Sequence, residues 1–299
     1  MEAYIMEQVR QEMEEHDGKR LAVQRDDAED LCRICDIPYA EDGQRGHLLD
    51  IYYPKNAAGP LPVVIDIHGG GLFYAYKELN RYSNYEIARR GVALVSLSYR
   101  LLPEVRFADQ LRDIMLALSK LPELAETYPL DLSRCSIMGD SAGGLLAYMA
   151  AVLTQNAQLR CWVGAVEPRV ELRSVGLICI MLQTSDTLYS SLINEFIPNG
   201  SPADPYLLHP IDLASVHLPP VWLQTSEEDK FREETHMLYE RLQTLGVPCC
   251  LTDHPKGEAH ALSHVFLVCW PHYPESQADI NSLCRFFDDP LSEIERIRS

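Results

Sequence analysis

The sequence has no apolar run long enough to cross a bilayer: its longest, such as residues 175–182 and 265–270, fall well short of the ~18 to 20 residues that a spanning helix needs. It is also poor in positive charge, with 26 Lys and Arg against 44 Asp and Glu, a formal charge of −18. Nucleic acid and anionic membranes both present phosphate, so neither is expected as a partner. The opening stretch, MEAYIMEQVRQEMEEHD, lacks the basic-then-apolar order of an export signal, and a cytoplasmic location is expected. The nine cysteines form no paired framework: the count is odd, and Cys135, Cys179 and Cys269 lie in apolar runs where a reduced thiol acts as a small hydrophobe. Cys32 and Cys35 form a CxxC without the second pair that a zinc site would need. A hydrophobic share of 46% and a charged share of 23% are globular values, so composition gives no support for disorder, repeats or a fibrous class.

What is there alternates between strand and helix patterns. Residues 1–17 space Ile5, Val9 and Met13 as an amphipathic helix that is expected to stop at Gly18. Strand patterns at 31–39 and 47–53, separated by Glu41-Asp42-Gly43, predict an antiparallel pair. Strands at 62–67, 92–99, 135–138, 175–182, 221–225 and 248–253 then alternate with helices at 80–90, 107–121, the stretch after Ser141, and 232–245. Such alternation implies an α/β fold with a mainly parallel sheet covered by helices on both faces. The proline-rich segment 183–219 breaks the rhythm and is read as an excursion over the C-terminal edge of the sheet, where ligands bind in such folds. One last helix is expected over 275–298. All 299 residues are read as a single domain, with cap elements at about 1–30 and 183–219.

The chemistry is concentrated at Gly139-Asp140-Ser141-Ala142-Gly143, where an apolar strand turns into a helix. A serine on so tight a turn occupies sterically poor backbone space, so the positions two before and two after it must lack side chains. The turn also sets Ser141 at a helix N-terminus, where N–H groups and the dipole favour the negative charge of an acyl-transfer intermediate. A nucleophilic serine needs a base and an acid to orient that base, in the chain order Ser, Asp or Glu, His. Asp229 follows a strand in the turn SEEDK, beside Glu227 and Glu228; His260 lies in a loop after the next strand, with His254 and His264 as competitors. The HxxxH of His260 and His264 would also suit a metal, but residues 261–263 lack the glutamate of a hydrolytic zinc helix and no third ligand is placed. No metal or cofactor is expected.

His68-Gly69-Gly70-Gly71, Tyr99-Arg100-Leu101 with Pro103-Glu104, GDSAGG at 139–144, Leu218-Pro219-Pro220 leading to Asp229, and Gly257 to His260 together resemble the hormone-sensitive-lipase-like carboxylesterases of the α/β-hydrolase fold. The resemblance covers the chain from about residue 47. It implies Ser141 as nucleophile, His260 as general base, Asp229 as its acid, and an oxyanion hole built from the backbone N–H groups of Gly70, Gly71 and Ala142. Two departures bear on substrate preference: Leu145 stands where the family commonly has Asn, and Leu72-Phe73-Tyr74-Ala75-Tyr76 stands where a small residue followed by Asp is commoner; the histidine loop departs as well, with His-Ala-Leu at 260–262 in place of the common His-Gly-Phe. The function implied is a serine carboxylesterase acting on short-acyl, small-molecule esters through an acyl-enzyme. An amidase or arylformamidase with the same triad, and a non-catalytic ligand-binding member of the fold, are the alternatives. The sequence sets no oligomeric state.

Overall fold

In a computed structural model of the chain, residues 2–24, 27–182, 195–197 and 200–298 are described. Of the expected excursion at 183–219, residues 183–194, 198 and 199 thus lie outside the described residues. The chain forms α1 (Glu2–Val23), β1 (Leu31–Pro38), β2 (Leu48–Pro54), β3 (Leu61–Ile67), α2 (Arg81–Ala88), β4 (Ala93–Leu97), α3 (Phe107–Ala125) and β5 (Leu130–Asp140). It continues with α4 (Ala142–Gln155), α5 (Ala157–Val163), β6 (Leu172–Ile178), α6 (Asp204–Leu207), β7 (Val221–Ser226) and α7 (Arg232–Thr244). The last elements are β8 (Cys249–His254), α8 (Phe266–Cys269), α9 (Pro274–Asp288) and α10 (Pro290–Arg298).

The eight strands make one sheet in the order β1-β2-β4-β3-β5-β6-β7-β8. β1 pairs antiparallel with β2 and β2 with β4; every other pairing is parallel. In β3, Val63, Ile65 and Ile67 join the core on one face and Val64 joins the core on the other, the two-residue alternation of a strand buried on both sides. Because β3, β5, β7 and β8 run the same way, the residues following each of them emerge at one edge of the sheet. Among the described residues no helix is long and apolar enough to cross a membrane, and all nine cysteines are free thiols.

Two helix boundaries differ from the sequence reading for local physical reasons. α1 runs through Gly18, which costs a helix interior only ~1 kcal/mol and is outweighed here by docking on both sides of it. Arg10 donates to the carbonyls of Phe73 and Leu102, and Gln24 donates to that of Cys269. The final helix is two helices, because Pro290 holds Asp289 in a non-helical conformation (φ −138°, ψ 90°). Glu293 then ties α10 back to α9, accepting from Ser282 and Arg285.

Candidate active site

The turn after β5 has the expected conformation: Ser141 sits at φ 53°, ψ −120°, immediately before α4. A side chain at Gly139 would run into the carbonyl of Gly143, and one at Gly143 into the carbonyl of Ile67. The two glycines are therefore needed by close backbone approach. The loop after β3 is held against this turn by Asp140, whose carboxylate accepts from the Gly69 N–H at 3.0 Å and from Asn80 Nδ2 at 2.8 Å. His68 stacks on Tyr99 with ring centroids 4.4 Å apart, and burial pushes its pKa down to about 4. It stays neutral, so Nδ1–H donates to the carbonyl of Gly69 at 2.7 Å. Gly70 and Gly71, at φ 110° and 61°, line the same cavity as Ser141. Neither donates its N–H to a backbone carbonyl among the described residues.

The structure brings Ser141 and Asp229 together through His264. His264 Nδ1 lies 2.6 Å from Asp229 Oδ1, and its Nε2 lies 2.9 Å from Ser141 Oγ. Asp229 also accepts from Thr225 Oγ1 at 2.7 Å and from the N–H of Phe231 at 3.1 Å. Burial alone would raise its pKa, but these donors and the neighbouring imidazole bring it below the usual carboxylate value. An ionised Asp229 fixes the imidazole proton on Nδ1, leaving Nε2 to accept the serine hydroxyl hydrogen.

His260 is not at the serine, which corrects the sequence reading. Its Nε2 contacts Glu275 Oε2 at 3.0 Å, and its ring lies against Tyr273 with centroids 3.6 Å apart. The cause is the path of the loop. Residues 257–260 fold back so tightly that a side chain on Gly257 would meet the carbonyl of His260. Glu228 Oε2 then pins the loop by accepting from the N–H groups of Gly257 (3.1 Å) and Leu262 (2.8 Å). Only after Leu262 does the chain turn towards Ser141. Glu228 is thus a staple and Asp229 the partner of the histidine, while His254 pairs with Asp279 at 2.8 Å. Residues 261–263 are not helical, so the HxxxH spacing does not set two imidazoles on one helix face.

Cys179, beneath the site, has its Sγ within 4.8 Å of ligand atoms of Asp229 and His264. A metal bound by these three would have to displace the 2.6 Å contact between His264 and Asp229. The thiol instead accepts from the N–H of Val265 at 3.3 Å and so fixes the backbone next to His264. Tyr99, Arg100 and Asp113 are structural: the Arg100 guanidinium grips the Asp113 carboxylate, which also contacts His47 Nε2 at 3.0 Å.

The cavity over Ser141 encloses about 80 Å³. Of the bulky residues singled out near it, Leu72, Phe73 and Leu145 are wholly buried in the core, whereas Tyr74 lines the cavity. Met13, Asp17 and Arg20 of α1 also line it. The helix pattern marks Met13, and the expected cap at about 1–30 includes all three, but nothing in the sequence singles out Asp17 and Arg20.

A family model described as BD-FAE matches residues 49–181. Among solved structures, esterase B from Lactobacillus rhamnosis inhibited by a tributyrin phosphonate is similar at a TM-score of 0.91 with 27% identity, covering 99% of this chain and 96% of that one. An esterase from Pyrobaculum calidifontis (TM-score 0.74, 20% identity, 98% and 94% covered) has the same fold. So has a thermostable carboxylesterase cloned from a metagenomic library (TM-score 0.74, 21% identity, 97% of each chain covered).

Proposed function

We propose that the chain is a serine carboxylesterase of the hormone-sensitive-lipase-like kind, acting on short-acyl esters with Ser141, His264 and Asp229 as its triad, a reading supported by the match of residues 49–181 to the BD-FAE family model and by the similarity to esterase B. The observation that carries this reading is the continuous chain of contacts from Asp229 through His264 to Ser141, at 2.6 and 2.9 Å. Ser141 Oγ attacks the ester carbonyl carbon while His264 Nε2 takes its proton, and the imidazolium then protonates the departing alkoxide. Water, deprotonated by the same nitrogen, cleaves the acyl-enzyme. Asp229 stays ionised throughout. The negative oxygen of each tetrahedral intermediate is received by the N–H groups of Gly70, Gly71 and Ala142, a role supported by the positive φ of both glycines and by the place of Ala142 at the start of α4.

The short-acyl preference is supported by the small cavity and by α1, which roofs it with Met13, Asp17 and Arg20. A longer acyl chain finds little room in a cavity of about 80 Å³, so each further methylene gains less than the ~0.8 kcal/mol of full burial. The nine free thiols suit a reducing, cytoplasmic setting. A phosphonate ester with a short acyl mimic is the direct test: peptide mass mapping is expected to find one adduct, on Ser141. An adduct elsewhere, or esterase activity surviving Ser141→Ala, would overturn the assignment.

A further inference from the structure

The face of α1 turned to the protein carries Arg10, Met13, Asp17, Arg20 and Gln24, at helical spacings of three and four. Arg20 is the unusual member. Its side chain is only 3% exposed, and its Nε contacts Asp17 Oδ1 at 3.2 Å. Its Nη1 is buried without a hydrogen-bond partner among the described residues. A buried guanidinium N–H left unmatched is costly, and a native protein keeps such a group where something else accepts it. Arg20 lines the cavity that holds Ser141 and His264, and so does Lys230, a second cation. The acids of the cavity are already engaged: Asp17 by Arg20, and Asp140 by Asn80 and the N–H of Gly69.

Given the esterase reading of this site, we propose that Arg20 is a specificity residue and that the preferred substrates are short esters carrying a carboxylate, whose oxygens accept from Arg20 Nη1. The planar guanidinium matches a carboxylate better than any neutral group of the same size. A site built to hydrogen-bond a substrate group discriminates strongly against the analogue that lacks it. The overall charge of −18 does not oppose this, because surface charges are screened beyond ~8 to 10 Å whereas Arg20 lies within the cavity wall.

The test compares matched pairs by proton release: monoethyl succinate with ethyl butyrate, and O-acetylglycolate with propyl acetate, so that the carboxylate is on the acyl side in one pair and on the alcohol side in the other. At least one anionic ester is expected to exceed its neutral partner about tenfold or more in kcat/KM. Arg20→Met should reduce that ratio about tenfold, and Arg20→Lys should keep part of it. A second readout needs neither turnover nor the variant at Arg20: succinate should raise the melting temperature of the Ser141→Ala protein and succinamide should not. Neutral esters preferred in both pairs, or equal shifts from succinate and succinamide, would overturn the proposal. Selective succinate binding with no ester cleaved would instead sink the esterase reading and leave the anion site standing.

Discussion

Ser141 and Val265 share a positive φ, at 53° and 54°, but the chain holds them there by opposite means. At Ser141 the cause is local. Gly139 and Gly143 clear the space, β5 and α4 fix both ends of the turn, and the main chain of the neighbouring β6 completes it by accepting from the Ser141 N–H at Ile178. At Val265, next to His264, a β-branched residue occupies a conformation that costs an L-residue ~1 to 2 kcal/mol, and the segment is held from outside. Glu228 accepts from Gly257 and Leu262, Ser226 donates to the carbonyl of Leu262, and Cys179 accepts from the N–H of Val265. A nucleophile can be positioned by a few adjacent residues, whereas its base is delivered by a loop that must be tied to several strands.

The largest test of this contrast is the choice of histidine. His264→Ala should lower kcat/KM by about 10⁴-fold or more, whereas His260→Ala, which loses only a contact to Glu275 and Tyr273, should stay within about threefold. Comparable losses in steady-state kinetics would mean that the loop adopts a second arrangement. Next comes Gly143→Ala, whose new methyl would meet the backbone of Ile67 and His68. Overpacking against main chain should cost about 3 kcal/mol or more, read as a lower denaturation midpoint; an unchanged midpoint would show that the turn yields.

Glu228→Gln should act only through the loop, lowering kcat about tenfold while leaving phosphonate labelling of Ser141 intact. The pH dependence follows from the same contacts, since the N–H groups of Leu262 and Gly257 hold the pKa of Glu228 below its usual value. A depressed folded-state pKa gives stability that is present above the unfolded value of ~4.3 and is lost as pH falls through the folded one. The melting temperature of the wild type should therefore drop more steeply than that of the Glu228→Gln variant on acidification through that window. The smallest expected effect is Val265→Gly. Relief of the left-handed strain offsets lost packing, so the net change should lie within ~1 kcal/mol by denaturant titration. Val175→Gly in β6 should lose several times more, and equal losses would show that the strain at Val265 is not real.

The same contrast explains what could be read from the residues alone. Ser141, the glycines beside it, the loop after β3 and the parallel sheet are encoded by short-range patterns, and so is Asp229, which lies in the turn after β7. His264 was passed over because its position depends on Glu228 and Cys179, side chains remote in sequence whose contacts no spacing reveals. One trace of it was present. His264-Val265-Phe266 keeps the first and last residues of the family's common His-Gly-Phe, and the φ of 54° at Val265 is the conformation that a glycine there would take freely. Arg20 lacks such a trace for a different reason: the inward face of α1 changes from apolar at Ile5, Met6, Val9 and Met13 to polar at Asp17, Arg20 and Gln24, so apolar periodicity has nothing to detect beyond Met13.

The way α1 is attached has a consequence for how this fold changes over time. Arg10 and Gln24 grip carbonyl oxygens of the main chain, and those oxygens persist whatever side chains the body of the protein acquires. With Arg20 selecting the substrate as proposed, anchorage and selectivity are carried by different rungs of one helix. On the proposed function, Met13, Asp17 and Arg20 are then the positions at which a lineage would explore new esters while the turn that carries Ser141 stays as it is.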